Sequence, residues 1–255
     1  MVLAGVLAAI ASLTIAFPVS AQMVSLPELA QQAFEAIARG NFNTAETDWT
    51  EILDRLPENA IAYSNRAGTR LAQNHLQAAL EDYNRAIELM PEAADPYLGR
   101  GIALERLQRR DEAIAAYDNA IVRLPEDGAA YNNRGNANAG AGRWEAAIAD
   151  YKKAIDLDPD STVARANLAL AQYQTGDEEG AIAAMRKLVR QYPNYADMRA
   201  ALAAALWERG NAGEAQSHWV AVAGLDRRYE DLNWVETVRR WPPRLVTALE
   251  GFLRS

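Results

Sequence analysis

The sequence predicts an all-α solenoid of about six helix-turn-helix units, followed by C-terminal capping helices. The first observation is the spacing of five prolines that lie 34 residues apart: Pro57, Pro91, Pro125, Pro159 and Pro193. A fixed period of this length is the signature of stacked helical repeats. Proline ends the second helix of each unit because it cannot continue a helix. The predicted units are residues 26–59, 60–93, 94–127, 128–161, 162–195 and 196–229, and residues 230–255 form the predicted cap.

The second observation is that two positions of every unit hold a small residue. The eighth residue of each unit is Ala or Gly, and the twentieth is always Ala. Two helices approach closely only where their side chains are small, so these positions predict the contact between the two helices of a unit. Large pairs such as Tyr97 with Tyr117 and Tyr131 with Tyr151 would fill the space beside it. A single unit cannot bury its own apolar face, so the array is stabilised by stacking.

The third observation is the turn between the two helices of each unit. Five of the six units have Gly or Asn at this position, and the exception is Gln108. These residues tolerate the left-handed backbone that commonly ends a helix. The first helix of each unit is therefore predicted to end here.

The full pattern is present in repeat 4, in the order Tyr131, Gly135, Ala147, Tyr151, Ala154 and Pro159. It resembles the tetratricopeptide repeat (TPR) family, and the match covers about four fifths of the chain. The resemblance implies a right-handed superhelix in which the first helices line a concave groove that binds other proteins. The C-terminal tail is also weakly similar to the tails of exported TPR proteins of cyanobacteria and chloroplasts.

Repeats 2 to 4 contain Asn65-Arg66-Ala67, Gly99-Arg100-Gly101 and Asn133-Arg134-Gly135. These triplets are similar to the Asn-Arg-Gly variant of the repeat. A buried arginine stem covers apolar surface while its head reaches a carboxylate. We therefore expect ion pairs within a repeat between Arg66 and Asp82 and between Arg134 and Asp150, and none in repeat 3, which has Ala116 at that position. The alternative is that these arginines face solvent.

Composition and motifs argue against catalysis, cofactors and metals. The formal net charge of −8 disfavours a nucleic-acid partner, and the absence of cysteine excludes thiolate chemistry and Cys-ligated metals. Asp156, Asp158 and Asp160 resemble the start of a calcium loop, but Ser161 and Asn167 occupy the positions that need Gly and Glu. The sequence predicts neither an enzyme nor a cofactor site.

The N-terminal segment predicts export. Residues 2–17 form an apolar run, and Val19-Ser20-Ala21 follows as a plausible cleavage site. The run is short for a membrane span, which needs about 20 apolar residues. We expect residues 1–21 to be a signal peptide and the protein to be exported to a periplasm or a thylakoid lumen. Because no Lys or Arg precedes the run, an uncleaved membrane anchor formed by residues 2–17 is the alternative.

The partner-binding residues are expected in the groove that the TPR resemblance implies. Its predicted lining is Asn65, Leu98, Ile102, Arg106, Asn132, Asn133, Asn136, Asn167, Tyr173 and Trp207. An asparagine side chain can both donate to and accept from a peptide backbone, so this groove would suit an extended segment of a partner. The alternative is that these are solvated helix residues.

Residues 230–255 predict an amphipathic final helix, with apolar residues at Leu245, Ala248, Leu249, Phe252 and Leu253. We interpret the segment as a cap that hides the exposed apolar face of repeat 6, which solenoids require. The alternative is a docking element in which Arg239, Arg240 and Trp241 contact a partner.

The predicted function is a non-catalytic scaffold or assembly factor that binds another protein or an extended peptide. Three alternatives remain open. One is a membrane-anchored assembly factor, and another is an enzyme or metal protein. The third is a structural protein that self-associates through its tryptophan-rich C-terminal end.

Overall fold

A computed structural model describes residues 24–255, so the predicted signal peptide lies outside the described residues. Twelve helices form six consecutive pairs: α1 (Leu26–Ala38) and α2 (Phe42–Arg55), α3 (Ala60–Ala72) and α4 (Leu76–Leu89), α5 (Ala94–Arg106) and α6 (Arg110–Arg123), α7 (Gly128–Gly140) and α8 (Trp144–Leu157), α9 (Thr162–Gln174) and α10 (Glu178–Gln191), and α11 (Ala196–Glu208) and α12 (Ala212–Leu225). A 3-10 helix (Arg227–Glu230) then leads to α13 (Leu232–Thr237) and α14 (Pro243–Leu253). The fold is the predicted all-α array of stacked helix-turn-helix units.

The turn position has a left-handed backbone in all six units. Glycine provides it in four of them, and Asn74 and Gln108 adopt φ angles of 63° and 62°. Gln108 therefore keeps the conformation of the repeat although its side chain disfavours it, at a cost of about 1 kcal/mol. The turn is set by the packing of the two helices, and this packing overrides the residue's own preference.

Close contact at the eighth position is confirmed. A Cβ atom added to Gly101 would lie 2.4 Å from the Tyr117 ring, and one added to Gly135 would lie 2.6 Å from the Tyr151 ring. The alanine at the twentieth position is fully buried in every unit. The small residue and the aromatic ring therefore fit against each other without spare volume, as the repeat pattern predicts.

The predicted arginine pairs are also present. Arg66 Nη2 lies 2.8 Å from Asp82, and Arg134 Nη2 lies 2.6 Å from Asp150. In repeat 3 the Arg100 side chain reaches only the amide oxygen of Asn84, at 3.4 Å. The arginines of repeats 2 and 4 thus pair with carboxylates that are almost completely buried.

Stacking of the units gives the array an inner side. Each second helix packs against the first helix of the next unit, and α3, α5, α7 and α9 also contact one another in turn. No two second helices make comparable contacts within residues 24–255. The first helices therefore lie on the inner side of the array. We call the surface of these helices that faces away from the second helices the concave face.

The final helix does not extend the solenoid. Its main contacts are with α11 and α9, two first helices that belong to different units. The sequence predicts a cap on the exposed apolar face of repeat 6, but Val220 and Leu225 of α12 stay exposed. The C-terminal cap (residues 230–255) instead covers the concave face of repeats 5 and 6. Its core is continuous with the largest apolar cluster of the described residues.

Within residues 24–255, no helix combines the length and the hydrophobicity that a bilayer crossing requires.

Candidate functional site

Equivalent positions on the concave face differ in exposure along the array. At the second position of the unit, Ile61 is 63% exposed whereas Asp197 is 5% exposed. At the ninth, Phe34 is 52% exposed whereas Leu170 is 7% exposed and Ala204 is fully buried. The difference arises because the C-terminal cap covers α11 and the later turns of α9, whereas Val163 at the second position of α9 stays 56% exposed. We call the concave face of α1, α3, α5 and α7 the open stretch, and that of α9 and α11 the covered stretch.

The middle of the open stretch is apolar. Leu98 and Ile102 lie one turn apart on α5 and are half-buried against the cluster around Tyr117. Arg106, at the end of the same helix, is exposed, and its guanidinium donates to the carbonyl oxygen of Leu71 at 2.9 Å. The guanidinium of Arg106 therefore already bonds the backbone of the preceding unit.

Three of the predicted groove asparagines bond to one another. Asn167 Nδ2 donates to Asn132 Oδ1 at 3.1 Å and to Asn136 Oδ1 at 3.0 Å, and the Tyr151 hydroxyl donates to Asn136 Oδ1 at 2.9 Å. No described residue accepts from the Nδ2 groups of Asn132 and Asn136. These two side chains therefore present donors, which suit carbonyl or carboxylate oxygens. Asn65 and Asn133 are half-buried on α3 and α7.

The prediction is wrong for Tyr173 and Trp207, because the chain's own C-terminal cap occupies the place of a partner. Tyr173 is fully buried, its hydroxyl donates to Glu208, and the Arg244 guanidinium lies 4.8 Å from its ring centre. The Trp207 ring packs against Gly251, where a Cβ atom would lie 2.6 Å from it. The Tyr173 ring is therefore not available to another protein while the cap is in place, and the cap covers part of the Trp207 ring.

The docking alternative is contradicted for Trp241, whereas Arg239 and Arg240 stay partly exposed although they bond within the chain. Trp241 is 3% exposed, and its Nε1 donates to Asp197 at 2.9 Å. Arg239 forms an ion pair with the same carboxylate at 2.6 Å, and Arg240 pairs with Glu105 of repeat 3. A buried carboxylate requires hydrogen-bond donors, and the C-terminal cap supplies them to Asp197. These residues attach the cap to the array.

The other tryptophans of the C-terminal end pack within the chain. Trp219 makes an edge-to-face contact with Phe252 at 5.3 Å, and Trp234 makes one with Tyr229 at 5.2 Å. Tyr229 in turn donates to Asp197 at 2.8 Å. Self-association through these rings is therefore not favoured by their packing.

Burial shifts the pKa values of two tyrosines and one histidine of the array. Burial raises the pKa of Tyr83 to about 12 and raises the pKa of Tyr151 further, so both phenols are neutral at physiological pH. Burial, followed by the charge of Arg199, lowers the pKa of His218. In residues 24–255 no three metal-ligating side chains come together.

The residues that sequence reasoning missed are those that hold the cap, above all Asp197. One signal was present. From Ala200 to Trp207 the sequence of α11 is apolar on every side, and a helix of this kind is buried all round.

Models of the tetratricopeptide repeat match three parts of the chain. Two are described as tetratricopeptide repeat and match residues 98–162 and 139–205, and one is described as TPR repeat and matches residues 69–108. No curated protein matches the chain.

Several solved structures are similar to the chain. One is YrrB, described as a TPR protein with an unusual peptide-binding site, with 21% identity over 80% of this chain and 97% of YrrB and a TM-score of 0.60. A TPR protein from Parabacteroides merdae has 16% identity over 90% of this chain and 99% of its own, with a TM-score of 0.69. The APC/C hetero-tetramer Cut9–Hcn1 has 15% identity over 91% of this chain and 43% of its own, with a TM-score of 0.72. At these identities the likeness shows the fold alone.

Proposed function

The chain is a tetratricopeptide repeat protein, and we propose on that premise that it is a scaffold or assembly factor that binds another polypeptide on the open stretch. TPR domains typically mediate protein–protein interactions and are typically non-catalytic. Among the similar structures, YrrB is described with a peptide-binding site, and Cut9–Hcn1 is an assembly of two kinds of chain. For this chain, binding of a partner is a proposal.

The observation that supports it is the contrast between the two parts of the concave face. The covered stretch buries most of its apolar residues under the chain's own cap, with Val163 at the start of α9 as an exception, whereas Phe34 and Ile61 of the open stretch remain more than half exposed. Leu98 and Ile102 extend this apolar lining into repeat 3. Contiguous exposed apolar residues beside polar groups mark protein-binding surfaces, and the amide donors of Asn132 and Asn136 provide such groups.

The test is recovery of partners from the native host with the wild-type chain and a groove variant, Ile61→Glu with Ile102→Glu. The introduced charges would have to be buried by any protein seated on the open stretch, which is costly. We expect the variant to lose the partners that the wild type recovers. These substitutions are preferred to alanine at Asn132, Asn133 and Asn136, because Asn132 and Asn136 also bond to Asn167.

The matched control is Val122→Glu, since Val122 lies on the second helix α6 and is 78% exposed. It adds one of the same negative side chains, against two in the groove variant, away from the concave face. Circular dichroism would verify that all three proteins fold alike. Equal recovery of the same partners by the groove variant and the wild type would contradict binding on the open stretch.

We also propose that the protein is exported, since an apolar run at residues 2–17 precedes the small residues Val19-Ser20-Ala21. The alternative is a membrane-anchored assembly factor that keeps this run. N-terminal sequencing of the mature protein distinguishes the two. A chain that starts at Gln22 supports cleavage and export, whereas an intact Met1 in a membrane fraction supports the anchor.

A further inference from the structure

The loop between α13 and α14, residues 238–242, reaches the middle of the array. The guanidinium of Arg240 in this loop pairs with the carboxylate of Glu105 at the end of α5, 135 residues away. The other side-chain bonds from the C-terminal cap to the described array go to repeats 5 and 6, at Tyr173, Gln174, Glu178, Asp197 and Glu208. The pair of Arg240 with Glu105 therefore passes over repeat 4. We call residues 238–242 the strap.

Glu105 is a fixed acceptor for this pair. Its side chain is 14% exposed, and the hydroxyl of the buried Tyr117 donates to its second carboxylate oxygen at 3.1 Å. A buried carboxylate requires hydrogen-bond donors or a cation. Tyr117 supplies a donor from within repeat 3, whereas the cation comes from the strap. Glu105 therefore holds one end of the connection rigidly, and the strap provides the end that can move.

The two neighbours of Arg240 point toward repeat 6 instead. Arg239 and Trp241 both bond to Asp197 of α11, so the strap is fixed to repeat 6 on both sides of Arg240. Arg240 itself has a φ angle of 56°, a left-handed backbone that its side chain disfavours. A residue keeps such a conformation only where its surroundings impose it, and residues of this kind cluster at clamps and switches. The strap therefore closes against backbone strain.

The exposure of the guanidinium makes the pair sensitive to salt. The Arg240 side chain is 50% exposed, and dissolved ions screen charges that solvent reaches. An ion pair with an exposed member contributes little to stability, and the strain at Arg240 is set against that contribution. The closed and open states of the strap are therefore close in free energy, so ionic strength shifts their populations.

The strap crosses a junction that the first helices leave without a side-chain bond. Side-chain hydrogen bonds join the first helices at three other junctions: from Arg106 to the Leu71 carbonyl oxygen, from Asn167 to Asn132 and from Tyr173 to Glu208. Among the described first helices of repeats 2 to 6, only the junction of α5 with α7 has none. Small rotations between repeats set the curvature of a solenoid. This junction is therefore the least restrained on the concave side.

We propose that the strap is a salt-sensitive clasp that sets the curvature of the array. With Arg240 closed on Glu105, the cap holds repeat 3 at a fixed distance from repeat 6. With the pair released, the junction of α5 with α7 rotates and the concave side widens. The cap itself stays on α11 and α9 through Asp197 and its apolar contacts. This inference goes beyond the proposed function, and its test needs no partner.

The experiment measures two distances in the full chain by double electron–electron resonance between spin labels. The chain has no cysteine, so pairs of introduced cysteines label defined sites. Ile61→Cys with Thr247→Cys spans from α3 to α14 and reports on curvature. Ser217→Cys with Thr247→Cys spans from α12 to α14 and reports on docking of the cap. All three positions are exposed.

We expect the distance between α3 and α14 to lengthen by several ångströms when salt rises from about 20 mM to about 500 mM, because the screening length then falls severalfold. Arg240→Gln should give the long distance at both concentrations, and Arg240→Lys, which keeps the cation, should restore the response to salt. Glu105→Gln keeps an acceptor for the Tyr117 hydroxyl and should behave as Arg240→Gln does. The distance between α12 and α14 should stay constant throughout.

The matched control is Arg254→Gln, which breaks an exposed ion pair with Glu250 in the same cap and should behave as the wild type. Circular dichroism would verify that each variant folds.

Three results would overturn the clasp. The first is an equal distance between α3 and α14 in Arg240→Gln and the wild type at both salt concentrations. The second is a response to salt that Arg240→Gln retains, since the ions would then act elsewhere. The third is a longer distance between α12 and α14 in Arg240→Gln, which would show that Arg240 holds the cap in place rather than the curvature of the array.

Discussion

Arg66 and Asp82 form a bidentate ion pair, in which Nε and Nη2 of the guanidinium each lie 2.8 Å from a carboxylate oxygen. Arg66 also donates to the Thr50 hydroxyl of the preceding repeat at 3.2 Å. Arg70, one turn further along α3, donates to Asp82 at 2.8 Å and to Glu46 at 2.8 Å. This group of side chains therefore connects α2, α3 and α4, so it joins neighbouring repeats as well as the helices of one repeat.

Replacement of Asp82 by alanine should be strongly destabilising. It leaves the mostly buried guanidinium of Arg66 without its carboxylate and removes one of the two partners of Arg70. Loss of one member of a buried pair costs about 3 kcal/mol, and we expect a decrease of this size in the free energy of unfolding, measured by urea titration. The control is Glu88→Ala, which breaks the exposed pair with Arg85 and should change the value by less than about 0.5 kcal/mol. Equal effects of both substitutions would contradict this account.

Repeat 1 has the carboxylate of this arrangement without the arginine. Asp48 is equivalent to Asp82, its Oδ2 atom is buried without a partner among the described residues, and burial raises its pKa. The carboxylate form therefore destabilises the fold at neutral pH. Gln32, which is equivalent to Arg66, is exposed. We expect Gln32→Arg to supply the missing partner and to stabilise the protein by about 1 kcal/mol at pH 7.

The measurement is thermal melting at pH 7 and again near pH 3, where protonation of Asp48 removes the charge. The gain from Gln32→Arg should shrink at the lower pH. The control, Gln32→Glu, adds a negative charge and should lower the melting temperature at pH 7. A gain that is equal at both pH values would rule out the pairing with Asp48.

The sequence predicts the arginine pairs because the same residue types recur at two fixed positions of a 34-residue unit. The sequence does not predict the second side chain that bonds to the buried carboxylate, at the eleventh position of the unit. Arg70, Leu104 and Asn138 occupy this position and share no chemistry. The structure gives the reason. Asn138 donates to Asp150 at 3.0 Å, as Arg70 does to Asp82, whereas the buried Leu104 accompanies Ala116 in the repeat without a carboxylate.

The position of the C-terminal cap follows from contacts far apart in the sequence. Apolar spacing predicts the helix α14 and its buried side, but it does not state which surface that side meets. The answer depends on Asp197, whose donors are Tyr229, Arg239 and Trp241. The aspartate at the start of α11 follows no pattern of the repeat, because Asp95 is the only acidic residue among its equivalents, which also include Ile61 and Ala129.

Two glycines in the middle of first helices should respond in opposite directions to alanine. Gly101→Ala places a Cβ atom 2.4 Å from the Tyr117 ring, which is fully buried, so we expect a loss of about 2 kcal/mol. Gly68→Ala meets only ordinary contact and should gain about 0.5 kcal/mol, because alanine favours the helix over glycine. Urea titration of both variants would check the signs. Equal effects would contradict the packing at the eighth position.

His218 should make the protein less stable as the pH falls below neutrality. Burial, followed by the charge of Arg199, lowers its pKa in the folded protein. The unfolded chain therefore binds a proton first as the pH falls through about 6.5, and the free energy of unfolding decreases. Glu214, whose pKa is lowered by Arg186, loses its contribution only at more acidic pH.

Urea titration at pH 7.5 and pH 5.5 would measure the effect. The wild type should lose more stability over this range than His218→Gln, which keeps a polar side chain that does not titrate. A decrease of the same size in both proteins would show that other groups cause the pH dependence.

The last prediction concerns the attachment of the cap. Asp197→Asn keeps the shape of the side chain and can keep one oxygen for the donors Trp241 and Tyr229, which share Oδ1. It removes the charge and replaces Oδ2, which lies 2.6 Å from Arg239 Nη2, by an amide group that cannot accept a hydrogen bond. We expect a loss of about 3 kcal/mol in the interaction between the cap and the array. Hydrogen exchange of the α14 amides should speed up, while that of α3 and α5 should not change. The control is Glu250→Ala, which lies on α14 itself and breaks only an exposed pair with Arg254. If Asp197→Asn left exchange in α14 as slow as in this control, the carboxylate would not be what holds the cap on the concave face.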